Sequence, residues 1–383
     1  MLHPKEKNKQ MKYYLIAGEA SGDLHGSNLM KEIKKNDQAA DFRYWGGDLM
    51  KAEGGTLVRH YKDHDFMGIV EVIKHLRTIL KNVAFCKLDI SENKPDAIIF
   101  VDFPGFNLKI VKHAKKLGIK TFFYISPTVW AWKENRVKII KKYVDHLFCI
   151  FPFEKAFYKN RHNYDVDYVG HPLLDSIITD IKPITQEEFI KENNLPDKRI
   201  IAILPGSRTA EIKENLKTMQ DVIPDFPDYH FVIAGMSHFD ETFYRQFINN
   251  KNISVLFNKT YPILQTADAA IVVCGTATLE TALLRCPQII VYKTNPITFF
   301  IGKLLVKLNY LGLPNTIMDK EIVPEFLQND MNSKTISQTL QKILTDKTFN
   351  SQIAANYEEL AQTLGSGGAS KRTAEFIAQY LAK

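Results

Sequence analysis

The chain reads as an α/β protein with two doubly wound, Rossmann-like parallel-sheet domains, and three observations predict this. Apolar runs of strand length alternate with amphipathic runs of helix length from end to end, the pattern of parallel strands covered on both faces. The 383 residues supply enough chain for two cores facing a cleft. Hydrophobic residues make up 45% and charged residues 24%, with only 19 Gly and 16 Pro, which excludes disordered, collagenous and coiled-coil chains. The net charge of +7 is a modest excess. It suits a phosphorylated or anionic-membrane partner better than nucleic acid, because the basic residues are spread along the chain and no readout motif occurs.

In the first half the strand candidates are Tyr13 to Ala17, Phe42 to Trp45, Ala97 to Val101, Thr121 to Ile125, His146 to Ile150 and Asp167 to Val169. A second series begins after Gly170-His171-Pro172: Ile200 to Leu204, His230 to Ala234, Ile253 to Leu256, Ala269 to Val273 and Gln288 to Tyr292. Asp175 to Ile184 reads as the linker, and Thr185 with Glu188 forms a capping box that starts the next helix. From Met331 only helical periodicity remains, ending in Lys371 to Ala382. The division expected is a disordered tail over 1–10, a first domain over 11–174, a second over 175–366, and a final helix over 367–383 that packs back on the first domain.

Cys86, Cys149, Cys274 and Cys286 lie far apart with no C-x-x-C pair, so free thiols in a reducing compartment are expected and no zinc site. The Lys-rich start is followed by an apolar run too short for a signal peptide, which points to the cytoplasm. Lys303 and Lys307 interrupt the greasiest stretch, Ile297 to Leu313, so no span is expected. That stretch and the amphipathic pattern of Phe66 to Phe85 read either as core-facing helices or as basic, greasy surfaces that dock on anionic lipid or admit acyl chains.

Several segments carry chemistry. Gly18-Glu19-Ala20-Ser21-Gly22-Asp23 follows the first strand as a tight loop opening a helix, where free backbone N–H groups and small residues let a ligand approach; the competing reading is a plain βα turn with Asp23 as cap. Leu204-Pro205-Gly206-Ser207-Arg208 repeats that logic in the second domain, with Arg208 able to fork onto a phosphate or to pair with Glu211. The sharpest segment is Cys274-Gly275-Thr276-Ala277-Thr278-Leu279-Glu280, in which an all-apolar strand delivers a glycine turn into a helix. Its amides would face a diphosphate, Thr276 and Thr278 would add donors, and Glu280 would accept from ribose hydroxyls. Asp102 ends a buried strand before a stiff Phe103-Pro104-Gly105 turn, where a general base would sit if the residue is not simply a helix cap. Trp130 and Trp132 flank a strand end and suit sugar stacking, acyl contact or core packing alike; His171 suits a hinge, a binding or a structural role.

Together these segments resemble the lipid-A-disaccharide synthases, inverting glycosyltransferases of lipopolysaccharide biosynthesis. The resemblance covers roughly Lys12 to Gln328. Besides the three Gly-containing loops it rests on Met67-Gly68-Ile69-Val70-Glu71-Val72, Ser126 through Trp132, Phe151-Pro152-Phe153-Glu154, Val169 through Leu173 and Leu313-Pro314-Asn315. It implies the GT-B fold, with UDP held by the second domain and the acceptor by the first. It further implies transfer of 2,3-diacylglucosamine from its UDP derivative onto the 6-hydroxyl of 2,3-diacylglucosamine 1-phosphate, giving a β-1,6-linked disaccharide and UDP. Arg208, Glu280, Asn315 and Gln328 match positions associated with the nucleotide, joined by Ser207, Gly275, Thr276 and Thr278. Asp102 matches a required carboxylate, and Glu19, Ser21, Gly22, Asp23, Trp130 and His171 are assigned to the acceptor side. No cofactor is implied, and the lack of a D-x-D triplet in the likely cleft segments leads to an expectation of metal independence. The partners implied are the two lipid substrates and the cytoplasmic face of an inner membrane, with the oligomeric state, a homodimer included, left open. Lys133 stands where Arg is common, and Cys274 where a small hydroxyl residue is usual. The rival readings are another UDP-N-acetylglucosamine enzyme of this fold, either the peptidoglycan transferase or a nonhydrolysing epimerase, and a two-lobed solute-binding protein.

Overall fold

The computed structural model describes residues 10–63, 76–306 and 308–382. The chain divides into two compact units, Met1–Asp175 with Ser366–Lys383, and Ser176–Gly365.

In the first unit, β1 (Lys12–Ala17), β2 (Asp41–Gly46), β3 (Thr56–His60), β4 (Ala97–Val101), β5 (Lys120–Tyr124), β6 (His146–Cys149) and β7 (Asp167–Tyr168) form one sheet in the order β3-β2-β1-β4-β5-β6-β7. All neighbouring pairs are parallel. The chain starts at the middle, builds to one edge, then returns to the other side of β1, so the switch point falls between β1 and β4. The two strands read KYYLIA and AIIFV and are buried almost throughout. An unbroken apolar run is what a strand needs when both of its faces are covered. Tyr14, Ile16, Ile98 and Phe100 pack with Ile110 and Val111 of the helix Pro104–Lys116.

The last helix, Ala369–Leu381, packs on the helix Ala20–Asn36 and is part of the first unit. Asp175 anchors it: its carboxylate accepts from the amides of Gly368, Ala369 (3.2 Å) and Ser370 (3.0 Å), groups that a helix start leaves unpaired. Arg372 adds a 2.7 Å bond to the Val169 carbonyl. The stretch from Asp175 to Ile184, expected as linker, is helical as far as Asp180. Pro172 starts that helix, and Leu173, Leu174 and Ile177 bury its apolar side.

In the second unit, β8 (Arg199–Leu204), β9 (Tyr229–Gly235), β10 (Ile253–Phe257), β11 (Ala269–Val273), β12 (Gln288–Tyr292) and β13 (Glu325–Leu327) run in the order β10-β9-β8-β11-β12-β13, again all parallel. The switch point here lies between β8 and β11. The unit's first helix, Gln186–Glu192, opens with the expected reciprocal cap: Thr185 Oγ1 accepts from the Glu188 amide, and Glu188 Oε2 accepts from the Thr185 amide at 2.9 Å.

Interior strands match the sequence expectation to within one or two residues. The edge strands β3 and β13 were not expected; both are short and only partly buried, so neither needs an apolar run. Residues 1–9 of the expected tail, the Met67 to Val72 motif and the Phe66 to Phe85 pattern up to residue 75 lie outside the described residues. From Leu76 the chain is helical to Asn93.

Candidate functional site

In an open parallel sheet the carboxyl ends of the strands beside the switch point splay apart, leaving loop amides and side chains without sheet partners. Four of the chemistry-bearing segments occupy those ends: the loops after β1 and β4 in the first unit, and those after β8 and β11 in the second.

In the first unit Asp102 follows β4 with its backbone N–H bonded to the Tyr124 carbonyl at 2.9 Å. Asp102 and Phe103 are both left-handed, at φ 46° and 49°, a conformation that disfavours side chains larger than glycine. The carboxylate does not cap the helix that follows: Phe103 is the N-cap residue and that end has no side-chain cap. Burial pushes the carboxyl group up to about 6, against one opposing bond from the Phe103 amide. Asn107, fully buried, holds the turn by donating to the Asp102 carbonyl at 2.7 Å. Gly18 completes the junction, since a Cβ on it would lie 2.3 Å from the Phe103 ring.

The remaining first-unit candidates divide. Glu19 is half-buried and Ser21 exposed at the start of the helix, while Gly22 packs on Ala17. Asp23 was expected to face an acceptor or cap its own helix, and it does something else. It is buried, and its carboxylate accepts from the amides of Gly47 (2.7 Å), Leu49 (3.0 Å) and Met50 (3.0 Å), fastening the loop after β2. Trp130 is half-buried, its ring edge-on to Phe153 at 4.8 Å and its Nε1 donating to Glu154 Oε1 at 3.1 Å. His171 is buried, and its Nδ1 accepts from the Leu173 amide at 3.2 Å. Burial and then the neighbouring His25 press it down to about 3, so it stays neutral.

In the second unit the loop after β8 turns at Gly206 (φ 107°), where only glycine is unstrained. Ser207 and Arg208 follow and are exposed; Arg208 Nη1 pairs with Glu211 Oε1 at 2.8 Å, and the Ser207 amide reaches Glu211 Oε2 at 3.3 Å. The loop after β11 is more open. Gly275 is the N-cap of the helix Thr276–Leu283, and a Cβ on it would have no atom within 4 Å. Thr276 beside it is exposed. Glu280 is half-buried and accepts from the Tyr261 hydroxyl at 3.0 Å; burial pushes its carboxyl up, against that bond.

Two residues of this unit expected to contact the nucleotide, Thr278 and Asn315, turn their polar groups inward. Thr278 is fully buried, with its hydroxyl donating to the Gly275 carbonyl at 2.7 Å and accepting from the Leu313 amide at 3.3 Å, so it braces the loop and offers no free donor. Asn315 is fully buried too. Its Oδ1 accepts from Ile322 and Val323 at 2.8 and 3.1 Å, and its Nδ2 donates to Val323 O at 3.0 Å and to Glu325 at 3.2 Å. Gln328 stands left-handed (φ 52°) just past β13, with a buried Nε2 that has no hydrogen-bond partner.

Some residues that build the site carried no assigned role in the sequence. Glu325 accepts from the amides of Leu311 (2.7 Å) and Gly312 (3.0 Å), holding the entry to the helix Leu313–Met318 from a distance in sequence that leaves no local signal. Glu154 is fully buried and accepts from Ile150, Phe151 and Trp130; its place three residues after Phe151 is a legible cap position. Among the described residues no group of three or more His, Cys, Asp and Glu side chains gathers where it could hold a metal ion. The four cysteines are free thiols.

Two parallel sheets, each reversing its strand order at a switch point, define the GT-B fold, and solved structures share it. The UDP-GlcNAc 2-epimerase from Neisseria meningitidis, determined bound to UDP-GlcNAc, superposes with a TM-score of 0.69 over 96% of this chain and 100% of its own, at 12% identity. The particular family is set by sequence: residues 13–379 match the Lipid-A-disaccharide synthetase family, and the chain belongs to it. The lipid-A-disaccharide synthase of Geobacter metallireducens is 35% identical, covering 96% of this chain and 97% of the relative. That of Sulfurihydrogenibium sp. is 39% identical, covering 97% and 99%.

Proposed function

We propose that this chain, as a lipid-A-disaccharide synthase, joins 2,3-diacylglucosamine from its UDP derivative to the 6-hydroxyl of 2,3-diacylglucosamine 1-phosphate with inversion, releasing UDP. Family membership over nearly the whole chain supports the glycosyltransferase activity in lipid A biosynthesis and does not favour the epimerase or peptidoglycan-transferase readings. The observation that carries the mechanism is the placement of an elevated carboxyl group and an open amide turn at equivalent switch points of the two sheets.

In this reading Asp102 is the base. An acceptor hydroxyl gives up its proton as its oxygen attacks the anomeric carbon, and a carboxylate whose affinity for protons is raised toward neutrality accepts that proton better than an ordinary one. Glu19, Ser21, Gly22, Trp130 and neutral His171 surround the acceptor. The Gly275 turn and Thr276 meet the departing diphosphate with amides fixed before the reaction begins. Arg208 and Ser207 join them when Arg208 exchanges Glu211 for phosphate. Glu280 accepts from the ribose, and Gln328 supplies its unpaired amide. Thr278 and Asn315 act behind them as braces. The diphosphate charge is met by these donors without a metal ion. The enzyme works at the cytoplasmic face of the inner membrane, where both lipid substrates lie.

The test is a mass-spectrometric assay for the tetra-acylated disaccharide from the two diacyl precursors. Product formed at the same rate with and without a chelator is the expected result. Turnover of UDP-N-acetylglucosamine alone, with no disaccharide, would replace this reading by the epimerase one.

A further inference from the structure

The helix Pro296–Leu305 in the second unit, built from PITFFIGKLL, does not use its apolar stripe to fill the core. Ile297 is 71% exposed, Phe300 64%, Leu304 70% and Leu305 57%. Ile297, Phe300 and Leu304 recur at helical spacing, so they share one face. Isolated exposed apolar residues are ordinary, but a contiguous stripe of this size marks a surface that meets something apolar.

The charges around it say what kind of surface. From Thr281 to Met318 the sequence contains no Asp or Glu, while Arg285, Lys293, Lys303 and Lys307 lie within that span. Lys303 sits in the helix's last turn. A greasy face on a stretch whose own charges are all positive matches an acyl layer beneath anionic headgroups, where apolar burial and headgroup attraction act together. A second copy of the chain would bring the same cations against these. Among the described residues no helix is long and apolar enough to cross a membrane, so the stripe would lie in the interface plane.

The helix is also tied to the nucleotide loops. It begins just after β12, with Asn295 Oδ1 accepting from the Ile297 amide at 2.9 Å. Immediately before it, the Lys293 amide donates to Asn215 Oδ1 at 2.8 Å, and Asn215 belongs to the helix that follows the Ser207-Arg208 loop. Beyond its other end, Cys274 Sγ donates to the Leu311 carbonyl at 3.0 Å and the Leu313 amide reaches Thr278.

We infer that the Ile297, Phe300 and Leu304 face is an in-plane docking surface for an anionic bilayer, which sets the Gly275 and Arg208 loops at the height of the headgroups. This rests on the reading of the chain as an enzyme with lipid-linked substrates and adds the surface by which it reaches them.

The test uses the full chain and substrate-free vesicles, so it is independent of whether transfer occurs. Flotation is measured with phosphatidylcholine vesicles and with vesicles containing about a quarter phosphatidylglycerol. The triple variant I297S/F300S/L304S should partition at least about tenfold more weakly than the parent, and K303E about fivefold more weakly on anionic vesicles only. A second variant, F300W, keeps the face apolar. Relative to the parent, its added fluorescence should shift to the blue with anionic vesicles and be quenched by brominated acyl chains. Parent-like flotation of a folded triple variant would overturn the proposal, as would an F300W signal that ignores vesicles. So would a triple variant whose only change is from dimer to monomer, because the face would then belong to a second copy.

Discussion

The carboxyl edges of the two sheets share a topology and differ in how they hold their loops. In the first unit three residues with side chains are left-handed at this edge, Asp102, Phe103 and Ile125, the last a β-branched residue for which the conformation is a clear outlier. In the second unit the turn after β8 gives its positive φ to Gly206, and Gly275 is extended at φ 163°, a value any residue adopts. The β4 end of the first sheet therefore stores strain around a desolvated carboxyl group, while the β8 and β11 loops of the second put no strain on a side-chain-bearing residue, and the β11 loop leaves its amides open. A proposed base benefits from being fixed and partly stripped of water, since both raise its proton affinity and aim it. A diphosphate cradle needs unobstructed N–H groups, which require room.

The largest effect that can break this contrast is D102N. The disaccharide assay should show a loss of about a hundredfold to ten-thousandfold in kcat, the range for removing a general base, while calorimetry shows UDP affinity unchanged. A folded D102N enzyme with normal turnover would remove Asp102 as base. In the parent, the acid limb of kcat/KM should fall near pH 6, set by the burial that raises this carboxyl group. The sign for stability runs the other way from activity. A carboxyl group raised on folding stabilises while protonated and loses that contribution as pH climbs through about 6. D102N should therefore melt higher than the parent at pH 8 while being inactive, and a lower melting temperature would contradict the desolvated setting.

How much of this was legible follows from where each residue finds its partners. β1, β4, β8 and β11 announced themselves because a strand covered on both faces must be apolar without interruption. The loops after them were legible because a glycine or a stiff turn follows directly in sequence. Thr278, Asn315 and Asp23 turn toward the fold, and the sequence does not show it. A hydroxyl, amide or carboxylate is the same residue type whether it faces a ligand or the fold. Their partners, Leu313, Val323 with Glu325, and Gly47 with Met50, lie too far along the chain for spacing to reveal them. The sequence does not decide between core and surface for the greasy stretch from Ile297, because periodicity locates a stripe without saying which way it points.

Two glycines, one in the loop after β1 and one in the loop after β11, sharpen the comparison at the next level. In G18A the new methyl would sit 2.3 Å from the Phe103 ring, which stacks on Phe106 at 5.6 Å and has little room to yield. The strained turn must shift, so kcat should fall about tenfold and stability by about 1–3 kcal/mol, the usual cost of overpacking. In G275A the methyl meets no atom within 4 Å and the backbone already suits alanine. Its melting temperature should match the parent, while KM for the UDP-sugar rises several-fold as the methyl enters the space a diphosphate would use. If both variants lost stability alike, or if G275A kept its KM, the two edges would not differ as described.

The smallest effect lies behind the first edge, at Glu154. Its Oε2 accepts from the amides of Ile150 (3.1 Å) and Phe151 (3.0 Å), leaving Oε1 to orient Trp130. Burial pushes its carboxyl group up to about 7 although these donors pull it down. In E154Q the amide oxygen can keep the backbone pair, but its NH2 then faces the Trp130 N–H, donor against donor. The Trp130 ring should loosen, raising the acceptor KM a few-fold with kcat and UDP affinity held. The parent's stability should decline as pH rises from the ordinary carboxyl range through about 7, because the protonated form is the one folding favours. Denaturant titrations at pH 5 and pH 8 should show that decline in the parent and a shallower one in E154Q. Equal slopes would mean that the carboxyl group is not held in the buried setting the structure gives it, and that Trp130 is positioned by Phe151 and Phe153 alone.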